Sequence, residues 1–180
     1  SDLFFPGSPS RRLPGLLISS PPLQPAAPMA LNISTELGVI RLRLRPDAAP
    51  ETASYISRAA AAGAYDGTSF YRSDFVIQCG LHGSGKPNPL GVDLKVNETA
   101  LHQRVSNARG TAAVAHWDVP DCGNTEFFIN LGANSHLDAA YGGYCVFACV
   151  EDDASFAVVD QIAEAVKQRS KVAIQSITVS

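Results

Sequence analysis

From Ile40 to Arg45 apolar and charged side chains alternate strictly, with Ile40, Leu42 and Leu44 interleaved with Arg41, Arg43 and Arg45. Successive side chains of a strand point to opposite faces, so this run has one apolar face and one cationic face. It reads as a half-buried strand. The stretch containing Leu31 and Ile33 reads as its hairpin partner, turning near Glu36 to Gly38.

The same reading extends along the chain. Pro50 suits a first helical turn, Glu51 follows at the end that the helix dipole favours, and the Ala-rich run stops at Gly63. Asp66-Gly67 marks a turn into two strands, Ser69 to Arg72 and Phe75 to Cys79. Residues 80 to 92, rich in Gly and Pro, form a loop. Thr111 to Ala115, Thr125 to Asn130 and Cys145 to Val150 read as further strands. Residues 154 to 168 read as a second helix, with Phe156, Val159, Ile162 and Val166 at helical spacing, and Lys171 to Val179 as a last strand. Two helices among many short strands predict a mainly β fold, a closed barrel with helical caps.

Residues 1 to 28 differ from the rest. Pro6, Pro9, Pro14, Pro21, Pro22, Pro25 and Pro28 remove amide donors too densely for a helix or a central strand, so this stretch is expected to be an extended arm before a domain at 29–180. The arm's apolar clusters, Leu3 to Phe5 and Leu16 to Ile18, fit contact with the domain or with a partner as well as they fit a solvated tail. Arg11-Arg12 and the scarcity of acid are compatible with the remainder of an organellar presequence, mitochondrial or plastid; a cytoplasmic location is the alternative.

A net charge of -3 and a pI near 5.7 supply no basic stripe for phosphates, so nucleic acid is not an expected partner. No apolar run is long enough to predict a membrane span. Cys79, Cys122, Cys145 and Cys149 and the four histidines lack zinc-site spacing and are read as unliganded. The Asn32 and Asn97 sequons are read as chance patterns.

Period-two arithmetic also marks a face opposite the core. If Phe127 and Ile129 point inward, Glu126 and Phe128 point out, and Val76 and Gln78 likewise share a face opposite Ile77 and Cys79. An outward Phe128 needs a cover or a ligand.

The ordered segments Ala49 to Thr52 (APET), Tyr65 to Arg72 (YDGTSFYR), Phe75 to Gly80 (FVIQCG), Asn124 to Ile129 (NTEFFI) and Leu137-Asp138 resemble the cyclophilin family over about residues 30 to 180. The resemblance implies an antiparallel barrel of about eight strands with a helix at each end. It also implies a peptidyl-prolyl cis/trans isomerase acting on X-Pro bonds in protein substrates. The family's site combines an arginine, a glutamine and a ring of apolar side chains on the outer barrel face. Matching positions make Arg72 the catalytic arginine and Gln78 the group that fixes the substrate backbone, with Phe75, Val76, Phe128 and Leu137 as walls and Ala115 beside them. Isomerisation breaks no bond, so no metal or cofactor is expected. The alternative is a non-catalytic subunit docked through barrel and arm in a larger assembly.

The chain departs from the family pattern around this site. Tyr71, His116, Glu126, His136 and Tyr144 stand where histidine, asparagine, glutamine, tryptophan and histidine are usual, and all but Tyr71 are counted among the substrate-binding positions. The link from Arg72 to Phe75 is about two residues short. Loss of the tryptophan is expected to weaken cyclosporin-like ligands more than isomerisation. Glu126 is expected near Arg72, where it either pairs with the arginine or favours a basic residue beside the substrate proline; the second is the expectation.

Overall fold

The alternating arginines stand on the outside of a barrel wall. In the computed structural model, which describes residues 29–169 and 171–180, β1 (Ala30–Thr35) and β2 (Gly38–Leu44) form the expected hairpin, with Leu31 opposite Leu42 and Ile33 opposite Ile40. These four side chains are fully buried, while Arg41 reaches outward to Glu151 and Asn32. Expectations for residues 1 to 28 lie outside the described residues.

The remaining elements follow the predicted order: α1 (Pro50–Ala61), β3 (Ser69–Ser73), β4 (Val76–Gly80), β5 (Thr111–Val114), β6 (Phe127–Asn130), β7 (Val146–Val150), α2 (Asp153–Arg169) and β8 (Val172–Val179). The strands close in the order β1-β2-β7-β5-β6-β4-β3-β8, every pair antiparallel, and β8 returns to β1. Closure leaves no unpaired sheet edge in this barrel. Phe70, Phe127, Phe147, Ile77 and Ile129 fill the interior; α1 packs on β7 and β8, and α2 on β2 and β3. Among the described residues no helix is long and apolar enough to cross a membrane.

Two features differ from the expected pattern. The sixth strand begins at Phe127 rather than Thr125, because Tyr65 Oη donates to the Thr125 carbonyl and Asn124 Oδ1 takes the Glu126 amide. A 3₁₀ turn at Ser135–Asp138, unforeseen in the sequence, presents Leu137 to the outer face.

The start of α1 relies on a distant residue. Ala49 has no side-chain acceptor, so the amides of the first turn, which lack an intrahelical partner, bond to the buried Glu98 carboxylate, which accepts from Glu51 N at 3.1 Å, Thr52 N at 2.8 Å and Thr52 Oγ1 at 2.7 Å.

Candidate active site

Side chains on the outward face of β4 to β7 build a second, smaller apolar cluster. Val76, Ala113, Phe128, Leu137 and Val146 are buried there, with Ala115 and Tyr144 packed against them. Phe128 is only 4% exposed although it points away from the core, and Tyr144 meets its ring edge-on at 5.8 Å. The outward phenylalanine has the cover that the alternation required. Above this floor opens a cavity of about 610 Å³ lined by Arg72, Phe75, Val76, Gln78, Ala115, His116, Glu126, Phe128, Leu137 and Tyr144. His136 does not line it; this exposed ring meets Phe75 edge-on at 5.5 Å. Tyr71, His82, Lys86, Asn88 and Trp117 also line the cavity.

Arg72 reaches this face through an irregularity. Phe70 is buried in the core, so strict alternation would turn Tyr71 out and Arg72 back in. Instead β3 pairs Phe70 with Cys79 and Arg72 with Gln78, leaving Tyr71 as an extra residue in a bulge. A bulge re-aims side chains, and here it places Tyr71 and Arg72 together on the outer face beside Gln78.

The short link after Arg72 is closed by Asp74. Its Oδ1 accepts from Val76 N at 3.1 Å, and its Oδ2 accepts from Arg72 Nε at 2.8 Å. Arg72 Nη1 donates to Gln78 Oε1 at 3.0 Å, and the guanidinium lies 5.3 Å from the centre of the Phe75 ring. A guanidinium carries five N–H donors in a rigid plane, so after these two bonds its Nη2 side remains available to a ligand. Phe75, 42% exposed, is a pocket wall rather than core.

Glu126 does not pair with Arg72. Its carboxylate accepts from Leu81 N at 2.8 Å, His82 N at 2.9 Å, Tyr71 Oη at 3.0 Å and Thr125 Oγ1 at 3.1 Å. Two amides of the loop after β4 outcompete the arginine because they are fixed by the backbone at no cost in side-chain freedom. Tyr71 Oη in turn accepts from Gln78 Nε2 at 2.9 Å. Burial, and then the adjacent Glu126 charge, hold the Tyr71 phenol well above its ordinary pKa, so it stays protonated and donates.

The far rim is made by loops. His116 stacks on Tyr144 at 4.1 Å, and its two ring nitrogens meet the carbonyls of Trp117 and Gly143 at 2.7 and 2.8 Å. Asn97 Nδ2 joins the same loops by donating to Pro120 O and Gly143 O, so this asparagine serves as a structural clamp. Trp117 is 81% exposed at the rim.

The barrel is shared with a cyclophilin type peptidyl-prolyl cis-trans isomerase of Cryptosporidium parvum solved in the presence of the dipeptide Ala-Pro; the TM-score is 0.67 over 84% of this chain and 98% of that one, at 20% identity. That likeness defines the fold class. Residues 30–180 match the family model for cyclophilin type peptidyl-prolyl cis-trans isomerases. The peptidyl-prolyl cis-trans isomerase B of Escherichia coli is 33% identical over 166 residues, covering 83% of this chain and 99% of that protein. The peptidyl-prolyl cis-trans isomerase of Acinetobacter baylyi is 35% identical over 156 residues, covering 84% and 79%. The chain belongs to the cyclophilin family of peptidyl-prolyl cis-trans isomerases.

Proposed function

We propose that the outer-face cavity is where this chain, a peptidyl-prolyl cis/trans isomerase acting on proline-containing protein substrates, turns the X-Pro bond, with Arg72 as its catalytic residue. The observation that carries this reading is the setting of Arg72, which lines the cavity beside an apolar floor and is held there through Nε by Asp74 and through Nη1 by Gln78.

Delocalisation of the nitrogen lone pair gives peptide-bond rotation a barrier of about 18–20 kcal/mol. In the twisted transition state that delocalisation is lost and the prolyl nitrogen becomes an acceptor. A fixed guanidinium donates to that nitrogen more strongly than to the planar ground state, which is the differential binding that catalysis needs. Phe75, Val76, Phe128 and Leu137 hold the pyrrolidine ring while the other side of the bond rotates, and Ala115, His116 and Tyr144 border the groove. Gln78 serves the site first by holding Arg72, and its second amide N–H is left to bind the substrate backbone. His136 packs edge-on against Phe75. With four donors on its carboxylate, Glu126 is a support for the groove before it is a contact for basic substrates.

The test is NMR exchange between the cis and trans forms of an X-Pro peptide. One electrostatic donor of this kind contributes about 3–4 kcal/mol, so Arg72→Ala is expected to lower kcat/KM about a hundredfold or more. An Arg72→Ala protein with wild-type rates would place the chemistry elsewhere. Docking of residues 1–28 on a larger assembly is a separate proposal, supported by the arm's apolar clusters and tested by co-purification with and without them.

A further inference from the structure

We propose that Tyr71 is a positioning residue for isomerisation, acting through Gln78 to aim Arg72 and anchored by Glu126. The inference rests on the reading of Arg72 as the catalytic residue. Four side chains form one line of hydrogen bonds: Arg72 Nη1 donates to Gln78 Oε1, Gln78 Nε2 to Tyr71 Oη, and Tyr71 Oη to Glu126 Oε1.

The direction of this line follows from its fixed end. Glu126 is held by the amides of Leu81 and His82, and an ionised carboxylate only accepts. The Tyr71 proton must therefore point at Glu126. The hydroxyl oxygen is then an acceptor for Gln78, which turns the amide so that Nε2 faces Tyr71 and Oε1 faces Arg72. If the amide were reversed, an NH₂ group would face a guanidinium that has nothing but donors. The Tyr71 hydroxyl thus selects one of two near-isosteric orientations of Gln78. That orientation determines whether Arg72, tied through Nε to Asp74, is also fixed through Nη1.

The bulge in β3 is what makes this geometry available, because it puts Tyr71 and Arg72 on the same face against one partner, Gln78. The seat of Glu126 is equally specific. Any Cβ on Gly80 would collide with the Glu126 carboxylate, so the chain leaves this space for the anchor.

The experiment is a double-mutant cycle on isomerase activity. Tyr71→Phe removes only the hydroxyl and is expected to lower kcat about five- to tenfold, the worth of one hydrogen bond, with KM within about twofold because the apolar floor is untouched. In a Gln78→Ala background the same substitution is expected to have no further effect, since nothing remains for Tyr71 to orient. Tyr71→His, whose ring keeps one donor and one acceptor, is expected to recover most of the loss. Should Tyr71→Phe fail to fold, the histidine variant carries the test alone: kcat near wild type alongside a Gln78→Ala loss supports the inference, and a kcat as low as that of Gln78→Ala overturns it. Wild-type kcat in Tyr71→Phe, or an equal loss in both backgrounds, also overturns it. Full activity in Arg72→Ala is a different result, which removes the site assignment itself.

Discussion

At Gly80 one hydrogen atom in place of a side chain supports the site. The residue has φ 150°, a backbone region side chains rarely adopt, and its missing Cβ is the space filled by the Glu126 carboxylate. Gly80→Ala is therefore expected to push Glu126 off the Leu81 and His82 amides and to strain the end of β4. Urea denaturation should show a loss of about 1–3 kcal/mol, accompanied by reduced isomerase activity as Tyr71 loses its anchor. Wild-type stability in that variant would mean that the carboxylate relaxes freely and anchors nothing. Phe128 shows how much was legible at this scale. Alternation alone placed it outside, and the structure agrees. Nothing in the sequence near Glu126 says that amides 44 and 45 residues away reach it before Arg72 does.

The elements repeat this division between local pattern and distant contact. Both helices and all eight strands were readable because periodicity and turn residues are local signals. The bulge in β3 was not, since one extra residue leaves no mark in so short a strand, and the face of Arg72 depends on it. The cap of α1 by Glu98 and the 3₁₀ turn at Ser135–Asp138 were equally hidden. That turn is tied by Asp138, which accepts from Ser106 Oγ, from Asn107 N at 2.8 Å and from Asn107 Nδ2 at 2.9 Å. Burial pulls the Asp138 pKa up, but these bonds outweigh it and leave the carboxyl below its ordinary value of 3.8. A group with a lowered folded pKa stabilises fully above the unfolded pKa and loses that contribution as pH falls through the folded one. The wild type should accordingly exceed Asp138→Asn in stability at pH 7, and the gap should narrow as pH drops below 3.8. Denaturation at a series of pH values measures it; a constant gap would mean that the charge of Asp138 does not hold the turn.

For the whole molecule, what matters is where the barrel closes. Ala30 N donates to Ser180 O at 3.0 Å, and Ser180 N returns a bond to Ala30 O at 2.9 Å, so the described chain joins its first strand to its last within one residue of each end. Every side chain assigned to the site lies between Tyr71 and Tyr144, supported by β3 to β7, while β1 stands next to β2 and β8. The outermost described contact before β1 is the Met29 carbonyl, which accepts from Leu44 N at 2.8 Å. A chain beginning at Met29 keeps this bond, all strand pairs and the whole cavity. Removal of residues 1 to 28 leaves every one of these contacts in place, so a Tm within about 1–2 °C of the full chain, equivalent to about 0.5 kcal/mol for a domain of this size, is the outcome expected if the barrel alone carries the stability. The kcat/KM on a short X-Pro peptide should stay within about twofold, because a peptide of that length meets only the cavity. Thermal unfolding and NMR exchange on the two chains measure both quantities. A tenfold change in kcat/KM at unchanged Tm would show that the arm enters the catalytic groove, whereas a fall in Tm would show that it packs on the barrel.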